Sequence, residues 1–143
     1  MAAKSSAFDS DLLNLIFNGV AIPNIADNAA SSPLTNLYVS LHTASPTTSG
    51  NQSSSEAAYA SYARVAVART AGGWTITGSA VSPAATISFP TAQGGSETET
   101  YFAIGTSATG AGKILYWGAI SPSITVSSGV QPQLTTASTV TEA

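Results

Sequence analysis

The chain has 143 residues, of which only 8% are charged, and its formal net charge at pH 7 is -3. Soluble domains carry about 25% charged residues, so the wetting of this surface falls to Ser, Thr, Asn and Gln. The whole basic inventory is Lys4, Arg64, Arg69 and Lys113 and there is no cysteine, which excludes a phosphate-tracking groove, disulfides and thiolate chemistry.

A length near the usual domain size and 43% hydrophobic residues argue for one folded domain rather than disorder. The N-terminus lacks the apolar core and cleavage site of a secretory signal. No apolar run approaches the roughly 20 residues that span a bilayer, so a soluble product is expected.

The first element is a helix over Ser6 to Gly19. Ser6 and Asp9 form a Ser-x-x-Asp capping box, Asp9 and Asp11 suit the positive end of the dipole, and Asn18-Gly19 supplies a left-handed stop. Phe8, Leu12, Leu15 and Ile16 repeat at i, i+4, i+7 and i+8, with Leu13 and Phe17 widening the stripe. A helix of about three turns is marginal alone, so it must dock, either on its own domain or on a neighbour. Phe8, Leu12, Leu15 and Ile16 are the expected partner-contact residues. Val20 to Asn36, broken by Pro23, Asp27-Asn28 and Ser31-Ser32-Pro33, reads as an extended arm.

From Leu37 onward the pattern is β. Leu37, Val39 and Leu41 alternate with Tyr38, Ser40 and His42. A Gly/Ser/Thr/Pro-rich loop covers Ala44 to Ser55. Ala63 to Thr70 and Trp74 to Thr77 flank Ala71-Gly72-Gly73, which reads as a hairpin turn. Further strands are expected at Thr86 to Phe89, Thr98 to Gly105, Lys113 to Ile120, Ile124 to Val126 and Gln133 to Thr141. Short strands with turn punctuation and no helical crossover predict an all-β, antiparallel β-sandwich of jelly-roll type, with one short N-terminal helix. The expected division is helix and arm over 1–36 and β-domain over 37–143.

Few residues invite chemistry. His42 is the lone histidine and has neither a nucleophile elbow nor a metal-ligand spacing beside it, so a backbone-bonded or partly exposed structural role is expected. Glu97 and Glu99 share one face of a strand and read as a solvated pair that discourages edge pairing. Gly105 to Lys113 resembles a phosphate loop but has Ser107 where the first Gly belongs and Ile114 where the hydroxyl residue belongs. A flexible hairpin loop is the better reading. Arg64 and Arg69 lie near Tyr59, Tyr62 and Trp74; a pair of the arginines with Glu56 or with a partner, and aromatics in the core, are expected in preference to base stacking. Asn51-Gln52-Ser53 is a glycosylation sequon without a signal peptide, hence a chance match.

Leu37-Tyr38-Val39-Ser40-Leu41-His42-Thr43-Ala44 with Pro46, then Glu56 and Tyr59 to Val67, then Trp74, resembles a small virion protein of tailed bacteriophages. Phe89-Pro90, Gly94-Gly95, Ile104-Gly105, Gly110 to Tyr116 and Ser128-Gly129 continue the likeness. The resemblance implies a capsid cement or decoration protein, or a tail-fibre protein, and brings no catalytic residues. The leading expectation is a cement protein on the capsid exterior, made in the host cytoplasm, which binds the major capsid protein and stabilises the head. The alternative is a tail component whose exposed aromatics, Tyr101, Tyr116 or Trp117, stack on host sugars. Self-association as a dimer or trimer is expected; an enzymatic role, a cofactor, a metal, nucleic acid and a membrane are not.

Overall fold

A computed structural model of the chain describes residues 5–22 and 33–142. The protein is mostly antiparallel β-structure with one short helix, α1 (Ser6–Asn18). The strands are β1 (Asn36–His42), β2 (Val65–Ala68), β3 (Trp74–Thr77), β4 (Ala80–Pro83), β5 (Ile87–Ser88), β6 (Glu97–Gly105), β7 (Ile114–Val126), β8 (Gln133–Leu134) and β9 (Val140–Thr141). They form a four-stranded sheet in the order β2-β1-β6-β7, a three-stranded sheet β3-β4-β9 and a pair β5-β8. Two compact units interleave in sequence: the described residues of Met1–Asn36, Val67–Thr86 and Thr135–Ala143 make the first, and Leu37–Ala66 with Ile87–Leu134 the second.

In the first unit α1 packs on β3 and β4. Its N-cap is Ser5, whose Oγ accepts from the Phe8 amide at 3.3 Å, one residue before the expected Ser6; the side chain of Ser6 lies outside what is described. Gly19 adopts φ 66° and ends the helix as expected. The buried stripe, however, is centred on Asp9, Leu13 and Phe17, and the last two are fully buried. Phe17 meets Trp74 edge to face, with ring centroids 4.8 Å apart. The expected stripe is therefore displaced around the helix: Phe8 is 38% exposed, while Leu12, Leu15 and Ile16 are half-buried. Of the expected arm, residues 23–32 lie outside the described residues.

β2 and β3 do not form the expected hairpin, because they belong to different sheets. The turn is present, with the Gly73 and Trp74 amides donating to the Thr70 carbonyl at 2.9 and 3.1 Å, but it redirects the chain instead of pairing its flanks. The true hairpin joins β3 to β4 through Gly78-Ser79. Gly78 has φ 61° and Ser79 has no positive φ, which is the type II′ pattern suited to strand twist.

The second unit is built on β1 and β6, antiparallel with Val39 opposite Ile104 and Leu41 opposite Phe102. Leu37, Val39, Leu41, Phe102 and Ile104 are buried on one face. β7 pairs with β6 and is the sheet edge. Between Glu99↔Ile124 and Tyr101↔Ala119 the ladder slips, so that Thr100 alone stands against Ile120–Ser123. The break expected at Ser121-Pro122-Ser123 is thus a bulge within one strand. The single strand expected over Gln133 to Thr141 is instead two: the Ser138 amide turns back to the Thr135 carbonyl at 2.9 Å, and β8 pairs with β5 while β9 pairs with β4.

Candidate functional site

The densest polar chemistry lies on the second face of the β1–β6 sheet, under the segment from Thr43 to Arg64. Ser40 and His42 point to this face and are fully buried. His42 Nδ1 stands 2.8 Å from the Ser54 carbonyl and Nε2 stands 2.9 Å from Ser40 Oγ. A carbonyl can only accept, so Nδ1 carries the proton and Nε2 accepts from the serine hydroxyl. Burial lowers the His42 pKa, against a smaller opposing effect of the Ser54 carbonyl, and the ring is neutral. The expected backbone-bonded role matches this geometry; partial exposure does not.

Arg64 organises the rim. Its Nε and Nη2 donate to Glu56 Oε1 and Oε2 at 2.6 and 2.8 Å, a bidentate pair. Nη1 and Nη2 also donate to the carbonyls of Ser107 and Gly110 at 2.9 and 2.6 Å. The side chains are only 3% and 17% exposed for Arg64 and Glu56. Tyr62 Oη donates to Glu56 at 3.0 Å and accepts from the Leu41 amide at 3.1 Å. Its ring stacks with Phe89 and meets Tyr59 edge to face. Burial raises the Tyr62 pKa far above the usual phenol range. The pair expected between an arginine and Glu56 is therefore Arg64's.

The hairpin expected at Gly105 to Lys113 joins β6 to β7, but it is tied on two sides instead of hanging free. Arg64 holds its carbonyls, and Gln52, fully buried, accepts from the Ser107 amide at 3.0 Å and donates to the Tyr38 carbonyl at 3.2 Å. A Cβ at Gly105 would sit 2.2 Å from Gln52 Cδ, and one at Gly112 would sit 2.1 Å from its Oε1. These two glycines make room for a glutamine, not a phosphate. The only hint of Gln52 in the sequence was the glycine pair. The sequon residue Asn51 uses its Oδ1 to accept from the Ser53 amide at 2.9 Å.

Glu97 and Glu99 share a face of β6 as expected, but neither the solvated position nor the edge location holds. β6 is an inner strand, Glu99 is fully buried, and Glu97 Oε1 accepts from the Ala58 and Tyr59 amides at 2.8 Å each. Burial first, then the hydrogen bond and charge of Glu97, push the Glu99 pKa up to about 8. Tyr59, whose Oη donates to the Pro90 carbonyl at 2.9 Å, is pushed up to about 12 by burial and the two carboxylates.

Arg69 is directed at backbone carbonyls. In the first unit it donates from Nε to the Ile16 carbonyl at 2.6 Å, from Nη2 to that of Leu15 and from Nη1 to that of Leu34 at 3.3 Å. It thus covers the carbonyls left open at the C-terminus of α1, which has no basic residue in its last turn.

Tyr101 and Trp117 lie on one face of β6 and β7 with ring centroids 5.8 Å apart, and Trp117 is 36% exposed. Tyr116 is half-buried. Among the described residues no cluster of three His, Cys, Asp or Glu could hold a metal, and no helix is long and apolar enough to cross a membrane. Only Asp11 and Lys113, among those residues, carry charge on an exposed side chain.

The family model described as podophage GP4 fiber I protein gp80 matches residues 3–142. No curated protein matches the chain.

Proposed function

The chain belongs to the podophage GP4 fiber I protein gp80 family, a family of phage virion proteins, and from that premise we propose that it is a structural subunit of the phage tail fibre. The match over residues 3–142 carries this reading. The surface chemistry agrees with it. Glu56, Arg64, Arg69, Glu97 and Glu99 are directed at the protein's own groups, which leaves an exterior of hydroxyls and scattered apolar groups suited to non-ionic contacts between subunits. Phe8 and the outer parts of Leu12, Leu15 and Ile16 are proposed as one such contact, with a second copy or a neighbouring virion protein. No catalytic role and no cofactor are proposed.

A capsid cement role makes the same demand on the surface, and the two differ in location and number. Immunogold labelling and quantitative mass spectrometry of purified particles decide between them. Label on the tail, at a few to a few dozen copies per particle, supports the fibre reading. Hundreds of copies over the head would overturn it in favour of cement.

A further inference from the structure

Glu97 and Glu99 form a pair for which a structural ladder of hydrogen bonds leaves one group over. Glu97 is occupied by the Ala58 and Tyr59 amides, whereas neither carboxylate oxygen of the fully buried Glu99 has a donor. Its hydrogen-bond neighbour is Glu97, another acceptor. Two carboxylates bond only when a proton lies between them, and two buried negative charges side by side are strongly disfavoured. The other titratable group facing Glu99 is Tyr59, on the segment packed against it. Opposite on β7 stand Ile124 and Val126, which do not titrate, and among the described residues no cation faces Glu99.

We propose that Glu97 and Glu99 share one proton, and that its loss to solvent base opens the contact of Glu97 with Ala58 and Tyr59, so that the pair is an alkaline-sensitive latch on the segment covering the β1–β6 sheet. The latched segment matters because it carries Tyr62 and Arg64, which fix the end of β1 and the β6–β7 hairpin. With Glu99 protonated, its O–H donates to Glu97, whose Oε1 goes on accepting both amides. With Glu99 ionised, the repulsion is relieved when Glu97 leaves the two amides to water. The Glu99 pKa of about 8 places the change just above neutrality.

The test uses the full chain labelled with carbon-13 at glutamate Cδ, titrated by NMR from about pH 5 to about pH 10, with amide exchange followed at Ala58 and Tyr59. The expected result is a Glu99 carboxyl that titrates near 8, with exchange at both amides, after correction for intrinsic rates, accelerating by up to roughly tenfold per pH unit on the approach to that midpoint and levelling off above it. In Glu99→Gln, which keeps a donor and carries no charge, protection should not change with pH. A Glu99 carboxyl that titrates in the ordinary carboxylate range overturns the proposal in the wild-type chain alone, whether or not the variant folds. Exchange that rises equally in wild type and Glu99→Gln overturns it too. The same holds if about 1 mM calcium suppresses the exchange and shifts both Cδ signals, since the pair would then be a cation site.

Discussion

Arg64→Met is the most informative single substitution. It keeps the stem of the side chain but removes the guanidinium, and with it two bonds to Glu56 and those to the Ser107 and Gly110 carbonyls. Because the pair is 3% and 17% exposed, Glu56 would be left as a largely buried carboxylate held only by the Tyr62 hydroxyl. Removing one partner of such a pair costs about 3–5 kcal/mol, against about 0–1 kcal/mol for an exposed one. At a urea m-value of about 2 kcal/mol/M, that is a fall of about 2 M in the urea midpoint. The double variant Arg64→Met/Glu56→Gln removes the stranded charge and should recover about 1–3 kcal/mol of the loss. Urea unfolding followed by tryptophan fluorescence measures all four corners of the cycle. A loss below about 1 kcal/mol in Arg64→Met, or strictly additive singles and double, would refute the account of Arg64 as the buried tie of this loop cluster.

Phe17→Ala should destabilise the first unit by about 3–5 kcal/mol and flatten the near-ultraviolet dichroism of Trp74, whereas Phe8→Ala should stay within about 0.5 kcal/mol; equal effects would mean that the expected stripe, not Leu13 and Phe17, faces the sheet. Gly105→Ala should unfold the hairpin because its Cβ meets Gln52 at 2.2 Å, and Gln52→Ala in the same chain should restore folding, read as recovery of a cooperative melt. His42 has a lowered folded pKa, so it contributes stability above its ordinary value of 6.5 that is lost as pH falls through that value towards the folded one. His42→Gln should abolish this acid sensitivity, measured as the difference in urea midpoint between about pH 7 and about pH 5.

Local patterns were legible where local physics decides them. The alternation of Leu37, Val39 and Leu41 placed β1, and Asn18-Gly19 placed the end of α1. Glu56 and Arg64 paired because they lie only eight positions apart and the chain between can loop back. What was not legible depends on partners distant in sequence. Ala71-Gly72-Gly73 has turn chemistry, but whether its flanks pair depends on Gly78-Ser79 offering β3 a nearer partner. Glu97 and Glu99 have the right parity for one face, yet parity does not say whether a strand is inner or edge. The full burial of Ser40 and His42 on the second face of β1 was not legible, because the polar segment that covers them has no periodicity of its own. Gln52 left almost no trace, since its role is defined by two glycines more than fifty residues away.

The scarcity of charge acquires a structural meaning from the two arginines. With no cysteine and several strands of two to four residues, few ladder bonds hold distant segments together. Arg64 reaches carbonyls 43 and 46 positions away, and Arg69 reaches carbonyls 53, 54 and 35 positions away. A planar guanidinium can do this because its five donors diverge in a fixed fork; a lysine ammonium presents three donors from one point and cannot span such separated acceptors. Each arginine therefore closes large loops in the way a cross-link does, without needing an oxidising compartment. Conversion to surface charge would forfeit those closures, so these cations are unavailable for recognising a partner. On the proposed fibre role, attachment within the virion would then rest mainly on hydroxyls and apolar side chains, whose contacts are insensitive to ionic strength, and should survive about 1 M salt.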